Sequence, residues 1–198
     1  MLPEKFRPYH YILASKSPRR QYLMKEMGFE FSIDVRDVDE HFPDTLSAEE
    51  IVLFLCELKA QVFDNETLMP DDILITADTI VWHNGKVLGK PLDAAEAKEI
   101  LMKLNGSMHE VFTGVCLKRK NKTYSFYDRS AVWFKQLTEK QIDHYISHYQ
   151  PFDKAGAYGV QEWIGYIGVE KIEGSFFNVM GFPTHRFYEE LEQFIDNE

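Results

Sequence analysis

Asp78 lies inside "ILITADTIVW", residues 73–82, a run that is otherwise apolar apart from two threonines. Burying a lone carboxylate is costly. An aspartate in such a strand points to a general base, a metal ligand, both at once, or an acceptor of backbone hydrogen bonds at a bulge. A second anomaly is "LASKSPRR", residues 13–20. Ser17-Pro18 reads as a helix start, with Ser17 as the cap and Pro18 in the first turn. Arg19 and Arg20 then place positive charge where the helix dipole disfavours it, at about 0.3–1 kcal/mol each. An anion held by the free N–H groups and two guanidinium forks would compensate. So would simple projection into solvent or toward the acidic surface.

Lys59 in "ELKAQ" and Lys90 in "LGKP" stand near element ends. Either could be solvated or could face an anion. Glu40, in the acidic stretch "DVDEHFPD", reads as a solvated loop residue or as an acidic member of the same site. "DKAGAYGVQ", residues 153–161, sets small residues beside the amide of Gln161, and its glycines permit close approach to a ligand. An ordinary glycine-rich turn fits the same letters. There is no G-x-x-x-x-G-K-[ST], no G-x-G-x-x-G after a strand and no G-x-S-x-G. His144 and His148 are four apart without a third ligand, which argues against zinc.

The elements that must position these residues follow from periodicity and turn signals. Strands are expected at 11–15, 29–35, 73–82, 87–88, 110–118, 123–134, 166–172 and 176–180. Helices are expected from Pro18 to the stop at Gly28, over 48–63 behind the capping box Ser47–Glu50, from Asp93 to Asn105-Gly106, over 138–149 and over 184–196. Asn84-Gly85 is a hairpin turn. Residues 150–168 read as loop. The pattern implies an α/β fold with a twisted, partly antiparallel sheet.

The chain has 198 residues, 44% of them hydrophobic, which is enough for a packed core. Its formal net charge of −10 disfavours nucleic acid as a partner. No apolar run approaches the roughly 20 residues needed to cross a bilayer, so no membrane partner is expected. The first residues lack the features of a signal peptide. Cys56 and Cys116 are isolated, and two free thiols in a reducing cytoplasm are the favoured reading over one disulfide.

Taken in order, "LASKSPRR", "ELKAQ", "ADTIV", "LGKP", "DKAGAYGVQ" and "KIEGSFFNVMGFP" resemble the Maf family of nucleoside triphosphate pyrophosphatases across most of the chain. The resemblance implies a single Maf-like domain over 1–198. It implies the sheet architecture shared with inosine triphosphatases, a mixed sheet flanked by helices with a cleft for the nucleotide. The implied reaction cleaves a nucleoside triphosphate between the α and β phosphates, with a divalent cation, Mg²⁺ or Mn²⁺. "GAYGVQ" is similar to the branch acting on dTTP and UTP. By motif match Asp78 is the proton acceptor, and Arg19, Thr79 and Gln161 govern base preference. Ser17, Arg20, Lys59 and Lys90 face the phosphates, and Glu40 joins Asp78 at the metal. A cytoplasmic enzyme, often a homodimer, is implied. The alternatives are an inosine-triphosphatase-like house-cleaning enzyme and a non-catalytic nucleotide-binding regulator of cell division.

Overall fold

The structure, a computed structural model, describes residues 2–63 and 67–196. Its elements, in chain order, are β1 (His10–Leu13), α1 (Pro18–Glu26), β2 (Phe31–Ile33), α2 (Ala48–Gln61), β3 (Asp72–His83), β4 (Lys86–Leu88), α3 (Ala94–Leu104), β5 (Met108–Arg119), β6 (Lys122–Phe134), α4 (Glu139–Tyr149), α5 (Trp163–Gly168), β7 (Val169–Glu173), α6 (Phe176–Met180) and α7 (Thr184–Asp196). The fold is α/β. One seven-stranded sheet runs β2-β1-β3-β5-β6-β7, and β4 pairs with β3. The sheet is mixed: β1 is parallel to β2 and β3, whereas β4 is antiparallel to β3 and β7 to β6.

The chain divides into two compact units, and residues of β3, β5 and β6 fall in both. Unit 1 comprises the described residues through Asp78, Thr113–Asp128, and those from Gly181 on. Its centre is the first half of β3, where residues 73–77 are buried on both faces, the pattern of a strand flanked by other strands and covered by helices. Helix α2 lies directly on β5, since a Cβ added at Gly114 would strike the backbone of Val52. The Thr76 hydroxyl donates to the Cys56 carbonyl at 2.6 Å and ties β3 to α2. Lys118 donates to the carbonyls of Ala60 and Phe63, which closes the C-terminal end of α2.

Unit 2 comprises Thr79–Phe112 and Arg129–Met180. The β3–β4 hairpin turns at Asn84-Gly85, both with positive φ (49° and 77°), as a two-residue turn of that sequence requires. Asp93 caps α3 by accepting from Ala95 and Glu96 N–H groups, while the Glu96 carboxylate reaches back to Leu92 N–H. Thr138 and Gln141 form a full capping box on α4.

Three local expectations change. Ser17 occupies the N-cap position of α1 but makes no side-chain cap bond. Its N–H instead donates to the Ser15 hydroxyl at 3.2 Å. Residues 163–168 are helical, so the strand expected at 166–172 starts only at Val169. The expected strand at 176–180 is helix α6. A five-residue apolar run carries no periodicity that separates helix from strand. Tertiary contact decides: Asn178, fully buried, donates through Nδ2 to the Val111 carbonyl and the Ser130 hydroxyl.

Candidate active site

Unit 1 holds five of the charged residues singled out from the sequence: Arg19, Arg20, Glu40, Lys59 and Asp78. Asp78 follows the buried stretch of β3, and Lys59 sits in the last turn of α2. The Thr76–Cys56 hydrogen bond fixes these two elements a few residues from both. The Lys59 ammonium donates to Asp78 Oδ2, and it also pairs with Glu40 Oε1 at 2.9 Å. The Lys59 and Asp78 side chains keep 18% and 15% of their exposure, against 51% for Glu40. Arg36 helps bring the acidic loop to α2 by donating to the Val62 carbonyl at 2.8 Å and stacking on Phe63.

The helix-start arginine is not stranded. Arg20 Nε donates to the Gly181 carbonyl at 2.9 Å, and Nη1 donates to the Ala77 carbonyl at 2.9 Å and the Ser15 hydroxyl at 3.4 Å. Desolvation lowers the Arg20 pKa, the Asp78 carboxylate works against that, and the Arg19 charge lowers it further. The positive charge in the first turn of α1 therefore has compensation inside the protein. Carbonyl oxygens and carboxylates oppose the helix dipole before any ligand arrives. Arg20, Lys59, Glu40 and Asp78 carry two positive and two negative formal charges, so this cluster is neutral as it stands.

Unit 2 holds Thr79, Lys90 and Gln161. Thr79 is the next residue of β3 after Asp78 and is partly buried. Lys90 is exposed, on the loop between β4 and α3. The residue before it, Gly89, accepts the Gly156 N–H at 3.1 Å. Gly156 has φ of 70°, and a Cβ there would lie 2.7 Å from Val81 Cγ2. Only glycine suits both the conformation and the contact. "ADTIV", "LGKP" and "DKAGAYGVQ" thus meet through Val81, Gly89 and Gly156. Gln161 Oε1 is buried and has no hydrogen-bond partner among the described residues.

The family profile described as Maf-like protein matches residues 10–194. The chain belongs to the Maf family. A dTTP/UTP pyrophosphatase of Bacteroides fragilis is 50% identical over 186 residues, 93% of this chain and 96% of that one. A dTTP/UTP pyrophosphatase of Christiangramia forsetii is 48% identical over 197 residues, 100% of both chains. One from Flavobacterium johnsoniae is 47% identical over 195 residues, 98% of this chain and 100% of its own. Among solved structures, the Staphylococcus aureus Ham1 protein overlays with a TM-score of 0.45 at 15% identity, over 63% of this chain and 71% of that one. That likeness is too loose to bear on function.

Sequence reasoning missed the residues that hold this Maf chain's glycine-rich loop. Tyr145 on α4 contacts Gly159 and Glu162, Lys154 pairs with Glu162, and His109 on β5 bonds the Tyr158 phenol. Tyr145 and His109 sit at apolar, core-facing positions of their elements, where a tyrosine or histidine looks like packing alone. The one signal in the letters was Lys154-x₇-Glu162, opposite charges on either side of a small-residue stretch.

Proposed function

We propose that this Maf-family chain hydrolyses dTTP and UTP to the nucleoside monophosphate and pyrophosphate. The observation that carries the chemistry is Asp78, a strand carboxylate held by the Lys59 ammonium beside Glu40 and near Arg20. The dTTP/UTP pyrophosphatases that are about half identical to this chain support the choice of substrate.

In this reading Asp78 accepts a proton from the attacking water. The water oxygen bonds to the α-phosphorus while the bond from that phosphorus to the α,β-bridging oxygen breaks, and pyrophosphate leaves. Lys59 aims the Asp78 carboxylate, and with Arg20 it supplies positive charge to the phosphates. Arg19 and the Ser17 end of α1 add to that binding, and the resemblance assigns Lys90 to the phosphates as well.

The residues fit a divalent cation of the Mg²⁺ or Mn²⁺ kind. Glu40 and Asp78 are hard oxygen donors converging on one point, now spanned by Lys59. Among the described residues no group of three or more His, Cys, Asp or Glu side chains could hold a metal. Glu40 and Asp78 would hold such a cation in part, and the substrate would supply further oxygen ligands. When bound, the cation would neutralise charge on a triphosphate of about four negative charges, which a neutral cluster alone does not offset.

Two free buried thiols fit a reducing cytoplasm, and burial pushes Cys116 up to about 11. No helix of the described residues is long and apolar enough to cross a membrane.

A nucleotide panel with Mg²⁺, its products separated chromatographically, tests the proposal. The expected result is monophosphate and pyrophosphate from dTTP and UTP, with weak turnover of CTP, ATP and GTP. Equal kcat/KM for ATP or GTP would overturn the substrate assignment. Tight binding without pyrophosphate release would favour a regulator.

A further inference from the structure

One phenol holds both flanks of Gln161. Tyr145, on the inner face of α4, is completely buried. Its oxygen accepts the Gly159 N–H at 3.0 Å and donates its proton to Glu162 Oε2. Gly159 stands two residues before Gln161, and Glu162 directly after it. Burial first, and the Glu162 hydrogen bond second, push the Tyr145 pKa far up, so its O–H remains a donor at neutral pH. The other Glu162 oxygen takes the Lys154 ammonium at 3.2 Å, and Lys154 also pairs with Asp153 at 2.7 Å. Further fixation comes from Gly156 N–H on Gly89 and from the Tyr158 phenol on His109 Nε2 at 2.7 Å.

Against this, Gln161 Oε1 is buried and has no hydrogen-bond partner among the described residues. A buried polar atom without a partner costs about 1–3 kcal/mol. On a loop held at Gly156, Tyr158, Gly159 and Glu162, this oxygen keeps its accepting capacity for a ligand's N–H. Hydrogen-bond strength falls steeply with misalignment, so discrimination by an amide depends on how firmly its backbone is held.

We infer that Tyr145 is a positioning residue: by bonding Gly159 and Glu162 it fixes the amide edge of Gln161, and so sets discrimination between pyrimidines with a carbonyl and those with an amino group at C4. The inference rests on the reading that Gln161 meets the base. The phenol acts from α4 through the loop backbone.

Tyr145→Phe removes one oxygen and keeps the ring. The measurements are kcat/KM for UTP and CTP, inhibition by inorganic tripolyphosphate, and amide hydrogen exchange over residues 155–162 in the nucleotide-free protein. The UTP:CTP preference should fall about tenfold, the effect of one well-placed hydrogen bond, mostly through a higher KM for UTP. Tripolyphosphate inhibition should stay within about twofold of the parent, and exchange over 155–162 should rise. A folded variant with unchanged ranking and unchanged exchange overturns the proposal. So does a parallel loss of UTP preference and tripolyphosphate binding, which marks a general scaffold role. If Tyr145→Phe does not fold, Glu162→Met removes the phenol's acceptor and leaves its bond to Gly159 in place. It should give a smaller loss of ranking, and no loss overturns the proposal. A parent enzyme without UTP preference would sink the base-reading assignment of Gln161 itself, while the exchange measurement still decides whether Tyr145 holds the loop.

Discussion

Lys59 and Asp78, nineteen residues apart, meet as an ion pair between a helix end and a strand, each largely shielded from water. Screening by solvent is weak for such a pair, so the ammonium fixes where the carboxylate points. Asp78→Asn keeps the size of the side chain and removes the proton acceptor. Turnover should fall by roughly 10²-fold or more, with the circular dichroism of the parent retained. Near-parental kcat in the folded variant would remove Asp78 from the role of base.

Arg20→Ala should act on both binding and stability. Triphosphate binding should weaken by about 1.5–3 kcal/mol, the scale of a charge-assisted hydrogen bond. Relief of the helix dipole alone would make the empty protein more stable. The structure reverses that expectation, because the carbonyls of Gly181 and Ala77 lose their donor. Removing it should destabilise the empty protein by about 1–3 kcal/mol. Arg20→Lys should recover little, since a single ammonium cannot serve two separated carbonyls as the guanidinium fork does. Denaturant melts of the three proteins check this, and an unchanged midpoint for Arg20→Ala would show that these bonds contribute nothing net.

Gln161→Glu exchanges the amide donor for an acceptor. The N3–H of thymine or uracil and the neighbouring carbonyl match an amide, which offers one acceptor and one donor. The variant should lose most of its preference for dTTP and UTP over CTP while its affinity for tripolyphosphate changes little. Mispairing of this kind is worth about 1–3 kcal/mol. Competition assays across the three nucleotides would read it, and an untouched ranking would show that another residue reads the base.

His109 gives a pH signature. Burial first, and His83 second, lower its pKa from 6.5 to about 3. The folded protein thus holds the ring neutral while the unfolded chain protonates it below about pH 6.5. Stability from this group is fully present above 6.5 and is lost as pH falls from there toward 3, at up to about 1.4 kcal/mol per pH unit. His109→Gln does not titrate and keeps an acceptor for the Tyr158 phenol. Its melting temperature should fall less between pH 6.5 and 4 than that of the parent. Parallel acid limbs for the two proteins would assign the loss to other groups.

How much of this the letters disclosed depended on whether a residue broke a local rule. Asp78 broke one, as a carboxylate in an apolar strand, and the structure pairs it with Lys59, another residue marked from the sequence. Arg20 broke one too, yet its acceptors at Ala77 and Gly181 lie far along the chain and no pattern announced them. Helix α2 was legible with its cap because the Ser47–Glu50 box is a local device, whereas the Thr138–Gln141 box on α4 emerged only from the structure. Helix α6 was not legible, because the partners of Asn178 come from β5 and β6. Tyr145 obeyed every rule: an aromatic on the apolar face of an amphipathic helix. Its hydrogen bonds exist only once the glycine-rich loop has folded over it.

Unit 1 is stitched from three separate stretches of chain, the last starting at Gly181. Phe182 and Phe187 pack on one another, Phe187 on Phe29, and Tyr188 on Phe6. The rings that cover the earliest-made part of the unit therefore belong to its latest-made part. During translation the N-terminal aromatics stay uncovered, and Arg20 has no Gly181 carbonyl to reach, until the ribosome has read past α7. Closure of this unit's aromatic cluster thus waits on the last of its three stretches. A copy abandoned earlier presents bare rings to chaperones and proteases, and its Arg20 lacks one of the carbonyls that hold the guanidinium in place.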